Sequence, residues 1–152
     1  VLKDLRAQRG YATPKVDVRG VVFEDDKLLL VFDKLGQGWC MPGGWSDVGD
    51  SPSEAVEREV WEESGLIVKA SKLIGVYDAN RVGDLELHHA YKLLFLCEVK
   101  GGRLRTSNET EKVGFFGQDE IPQPFAGERT KTYHIDDAFA FLKNPDAPAV
   151  FD

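Results

Sequence analysis

The spacing of apolar and polar positions changes several times along the chain, and each change marks an element. Val16–Phe23 mixes β-branched with polar residues and Lys27–Phe32 is strongly apolar, so both predict strands. The polar Glu24-Asp25-Asp26 between them predicts a hairpin turn. Gly36, Gly38, Pro42, Gly43, Gly44 and Gly49 make Leu35–Asp50 a loop region. Ser51-Pro52-Ser53-Glu54 then combines a cap, a proline suited to the first helical position and the glutamate of a capping box. With Gly65 as the stop, these signals predict a helix over Pro52–Ser64. Leu66–Ala70, Lys72–Tyr77, His89–Val99 and Val113–Phe116 read as further strands, with Gly101-Gly102 as a hairpin turn. Tyr91, Leu93 and Phe95 alternate as one core-facing side of a strand. Ile135, Ala138, Phe139 and Leu142 share one stripe of a last helix, which Asn144-Pro145 ends. Strands interspersed with two helices predict an α/β or α+β fold.

Composition narrows the classes. At 42% hydrophobic and 30% charged, the 152 residues describe a globular chain rather than a disordered one, at a length that fits one domain. The longest apolar runs, Leu28–Phe32 and Leu93–Cys97 among them, are five residues each, far short of a membrane span, and no signal peptide is evident. Cys40 and Cys97 have no metal-site or redox spacing and read as two buried thiols. A cytoplasmic location is therefore expected, with no membrane partner. The chain opens on Val1 and has Met41 as its sole methionine, so residues 1–10 are expected to be the end of an upstream segment. A formal charge of −7 argues against a nucleic-acid polymer as partner.

That charge is concentrated. Residues 44–66 hold seven acids (Asp47, Asp50, Glu54, Glu57, Glu59, Glu62, Glu63) against one base, Arg58, and so account for all but one of the excess negative charges. At roughly 100° per residue, Glu59, Glu62 and Glu63 fall within about 100° of one another on the helix, beside the apolar Val56 and Val60. Arg58 precedes Glu62 by four residues and can orient it. Three crowded carboxylates repel unless a cation lies among them. Mg²⁺ or Mn²⁺ would take such oxygen ligands, and the Gly43-Gly44 turn could add a backbone carbonyl. A merely solvated acidic face is the alternative.

Gly44, five residues, Asp50, seven residues, and then Arg58-Glu59-Val60-Trp61-Glu62-Glu63-Ser64-Gly65-Leu66 resembles the Nudix box, G-x5-E-x7-R-E-U-x-E-E-x-G-U with U aliphatic. One fixed position departs: Asp50 stands where the family usually has Glu, with the same charge and one methylene less reach. Tyr11–Gly20, Met41–Gly49, Asn108–Phe116 and Asn144–Asp152 extend the resemblance to the subgroup containing CDP-choline and ADP-ribose pyrophosphatases. The resemblance implies a single Nudix domain over residues 1–152, folded as an α/β/α sandwich around a mixed sheet. It also implies hydrolysis of a nucleoside diphosphate linked to another moiety, with Mg²⁺ or Mn²⁺, in an enzyme that is often a homodimer. The alternatives are a pyrophosphohydrolase of oxidised nucleoside triphosphates and a non-catalytic nucleotide-sensing module.

By the same resemblance, Glu59, Glu63 and the Gly43 carbonyl are the core metal ligands and Glu62 serves a further ion. Arg58 holds the glutamate cluster, and Asp50 lies outside the inner ligands, so its shortening should matter little. Glu109 is the candidate general base, ahead of Glu111, with an exposed polar loop as the alternative for both. Arg19 could meet substrate phosphate or base, or form a cross-strand ion pair. Trp45 could stack on a base or pack against its own loop. His88 and His89 read as polar surface and His134 as incidental.

Overall fold

The computed structural model describes residues 10, 12–79 and 89–152. Its strands are β1 (Lys15–Glu24), β2 (Lys27–Asp33), β3 (Gly38–Cys40), β4 (Gly43–Trp45), β5 (Leu66–Asp78), β6 (Ala90–Gly102), β7 (Thr110–Phe116) and β8 (Val150–Phe151). The helices are α1 (Pro52–Ser64) and α2 (Thr132–Lys143). The strands run in the order β3-β2-β1-β6-β5-β8, with β4 paired to β1 and β7 to β2. Pairings β1–β6 and β5–β8 are parallel and the others antiparallel, so the sheet is mixed.

Alternation along β1 divides the core in two. Val18 and Val22 pack with Ala55, Val56 and Val60 of α1, whereas Val21 joins Ile135, Ala138 and Phe139 of α2. The sheet is thus sandwiched between the helices. Asp25 and Asp26 both have positive φ, 51° and 60°, which gives the two-residue turn whose twist suits the β1–β2 hairpin.

Several sequence expectations change. The loop expected over Leu35–Asp50 contains β3 and β4, short strands whose glycines conceal any period. Leu66–Ala70 and Lys72–Tyr77 are a single strand, β5, whose register shifts around Ser71 imitate a break. Gly101-Gly102 is no hairpin turn: it closes β6, with Gly102 opposite Leu66 at the start of β5. Tyr91 is 44% exposed, while Leu93 and Phe95 pack against the α1 side of the core. The short β8 was not foreseen. Among the described residues no helix is long and apolar enough to cross a membrane.

Candidate active site

Helix α1 is fixed at both ends. The Glu54 amide donates to Ser51 Oγ at 3.2 Å and the Ser51 amide to Glu54 Oε2 at 3.4 Å, completing the expected capping box. At the other end Gly65 takes φ 84°, open to it for want of a Cβ, and its amide donates to the Trp61 carbonyl. Each of the last four helical carbonyls has a donor. Trp61 and Glu62 receive the Arg105 guanidinium, Ser64 the Arg105 amide at 2.8 Å, and Glu63 the Thr110 hydroxyl at 2.8 Å.

The helix presents Glu63 to the strand before it. Glu63 is 6% exposed, and its Oε2 accepts the Gly43 amide at 2.7 Å. Residue 43 must be glycine on steric grounds, because a Cβ there would stand 1.9 Å from the Val18 carbonyl oxygen. The preceding backbone is held as well. Met41 N donates to Thr130 Oγ1 at 3.0 Å, Met41 O accepts Arg19 Nη1 at 2.9 Å, and Pro42 O accepts Gly20 N at 2.8 Å. Burial pushes the Glu63 carboxyl up to about 8. Arg19 and the Gly43 amide oppose that rise, whereas Glu59 and Glu109 add to it. Glu59 is also raised, chiefly by burial, and its carboxylate lies against Gly44, 3.2–3.3 Å from the Cβ position that glycine leaves empty.

Arg58 is a hub. Its guanidinium reaches Glu59 at 3.0 Å, Asp47 at 3.1 Å, Asp50 at 3.2 Å and Glu62 at 3.6 Å. The cation among the crowded glutamates is therefore Arg58 for Glu59 and Glu62, while Glu63 turns to Gly43. Accordingly, among the described residues no three acidic, histidine or cysteine side chains already form a metal cage. The donor set nevertheless fits a divalent cation. Glu63 is a buried carboxylate with an amide donor, and among acids the Glu59 charge raises it most, so a hard cation would relieve both.

Glu109 and Glu111 are exposed, and Glu109 lies close enough for its charge to raise Glu63. Arg19 is only 4% exposed, and its pair is not cross-strand. It grips Asp17, two residues earlier on β1, through Nε at 2.9 Å and Nη2 at 3.0 Å. Lys92 approaches the same carboxylate at 3.7 Å. Burial would raise Asp17, but Arg19 and Lys92 outweigh it and hold the carboxyl below its usual range. Trp45 is 45% exposed, with Lys15 Nζ 5.5 Å from its ring centroid.

His134 is not incidental. It is buried, its Nδ1 accepts the Lys131 amide at 3.0 Å, and its Nε2 has no hydrogen-bond partner among the described residues. His89 is exposed beside Asp78 and Tyr91, and His88 lies outside the described residues. Sequence reasoning missed Asp17, Thr110 and Thr130. The Asp17-x-Arg19 spacing was a usable signal, since strand alternation puts both on one face. The threonines meet partners 47 and 89 residues away, which no local pattern shows.

Comparison with known proteins agrees with this geometry. The profile of the family described as the NUDIX domain matches residues 13–136. An ADP-ribose pyrophosphatase of Methanocaldococcus jannaschii is 35% identical over 127 residues, covering 80% of this chain and 72% of that one. The crystal structure of an ADP-ribose pyrophosphatase from Streptococcus suis superposes with a TM-score of 0.83 at 31% identity, over 92% of this chain and 100% of that chain. That of a UDP-X diphosphatase gives 0.84 at 30% identity, over 99% and 73%. With its helix-borne glutamates and its mixed sheet between two helices, the chain belongs to the NUDIX domain family of hydrolases.

Proposed function

We propose that the protein hydrolyses the pyrophosphate link of a nucleoside diphosphate joined to another moiety, with ADP-ribose the first substrate to test. The observation that carries this reading is the buried Glu63 held on the Gly43 amide beside Glu59, in a chain resembling enzymes named for that chemistry. A bound Mg²⁺ or Mn²⁺ supplies charge neutralisation for the diphosphate and an attacking water of lowered pKa. Glu59, Glu63 and the Gly43 carbonyl would hold a first ion and Glu62 a further one. Arg58 keeps Glu59 and Glu62 in place, and Glu109 takes the proton from the water. Arg19, buried beneath Gly43, acts through the Met41–Gly43 backbone and through its charge rather than by reaching into solvent. Trp45, half exposed after the Gly43-Gly44 strand, offers a ring for the nucleobase.

The family match over residues 13–136 suits one domain. Cys40 and Cys97, both buried and unpaired, suit a reducing cytoplasm. Sedimentation at micromolar concentration checks the homodimer. Turnover of ADP-ribose, CDP-choline and UDP-sugars against oxidised nucleoside triphosphates, each with Mg²⁺ or Mn²⁺, tests the function. We expect nucleoside monophosphate and a phosphorylated second product. Preference for an oxidised triphosphate would move the enzyme to the sanitising class, and binding without turnover would make it a sensor.

A further inference from the structure

The loop that carries Glu109 is tied to α1 by two hydroxyls whose hydrogen-bonding capacity is filled. The Glu109 and Thr110 amides both donate to Ser107 Oγ, at 3.2 and 3.1 Å. Ser107 Oγ lies 2.9 Å from Thr110 Oγ1, which also receives the Ser107 amide at 3.1 Å. Thr110 Oγ1 in turn donates its one proton to the Glu63 carbonyl at 2.8 Å. A carbonyl only accepts, so that bond fixes the direction of the whole chain. Thr110 has no proton left for Ser107, and Ser107 must be the donor between them. The order is therefore Glu109 N–H to Ser107, Ser107 O–H to Thr110, and Thr110 O–H to the Glu63 carbonyl. The Glu109 carbonyl is taken as well, by the Lys34 amide at 2.9 Å, so both backbone groups of Glu109 are held. Thr110 itself is fully buried.

We infer that Ser107 and Thr110 are positioning residues, which fix the Glu109 carboxylate relative to Glu63 by joining the backbones of the two. The inference rests on the proposed role of Glu109. Chains of hydroxyls with a single allowed direction resist reorientation, and a base misplaced by about 1 Å can lose on the order of a hundredfold in rate. A helix-capping role for Thr110 alone would need the bond to the Glu63 carbonyl and nothing from Ser107.

Steady-state kinetics of single and double variants on the substrate that wild type turns over fastest separates the two roles. Ser107→Ala leaves the Thr110–Glu63 bond in place, so capping predicts an unchanged enzyme. Positioning predicts a kcat lower by about tenfold or more with KM within about twofold. Thr110→Val should do the same, and Thr110→Ser should restore kcat to within about twofold of wild type. In a Glu109→Gln background the Ser107→Ala effect should shrink below about twofold, because the group it positions is gone. Amide hydrogen exchange should quicken at Glu109 and Thr110 in Ser107→Ala, a readout independent of turnover. Wild-type kcat in Ser107→Ala, or an equal loss in both backgrounds, would overturn the inference. Failure of wild type on every diphosphate would instead sink the functional reading.

Discussion

Arg58 is one-third exposed yet meets four carboxylates, two before α1 and two on it. Exposure limits what such contacts contribute to stability, to less than about 1 kcal/mol each, so their value lies in geometry. Arg58→Lys keeps the charge but loses the planar fork, and should lower kcat by about tenfold or more while denaturant titration shows a stability change below about 1 kcal/mol. Asp50, expected to matter little, is one of those four partners at 3.2 Å; Asp50→Asn should cost under about 1 kcal/mol by the same titration. Glu63→Gln should reduce kcat by roughly a hundredfold or more, because the site loses its most buried carboxylate.

Helix α1 with its capping box, glycine stop and glutamate face was legible from residue order alone, because every signal is local and in register. The ends of the chemistry were less so. Strand β4 is Gly-Gly-Trp and has no period, yet it supplies the amide that holds Glu63. Its form depends on Val18 across the strand pair, a contact no linear pattern reveals. Gly43→Ala should therefore destabilise the fold by about 1–3 kcal/mol, read by thermal or chemical denaturation, and weaken turnover with it. Ser51→Ala should cost about 1 kcal/mol in the same assay with little loss of kcat, since the cap lies at the far end of α1 from Glu63. The Arg19 pairing was half legible: the ion pair was foreseen, but its partner is two residues away on the same strand.

At the scale of the molecule, the two sides of the sheet carry different loads. The α1 side holds the glutamates over an apolar layer, while the α2 side buries Asp17, Arg19, Lys92 and His134. Burial, and then the charge of Lys92, depress His134 to about 3, with Lys131 and Arg19 adding to the effect and Asp17 opposing it. Unfolded, the ring binds a proton near 6.5; folded, it binds none until about 3. Between those values the unfolded state holds one proton more, so stability falls as pH falls, by about 1.4 kcal/mol per pH unit. The unfolding free energy of His134→Gln should show a slope shallower by one proton across that window. The apolar pattern could mark His134 on its helix but not its neutrality, which depends on neighbours from β1 and β6. Hydrolysis on the other side of the sheet is read by ³¹P NMR of ADP-ribose incubated with the protein and Mg²⁺. AMP and ribose 5-phosphate are the two phosphorus products expected, and both should be lost in Glu63→Gln. An unchanged diphosphate signal with wild type for ADP-ribose, CDP-choline and UDP-sugars alike, or equal turnover by the Glu63→Gln variant, would contradict that chemistry.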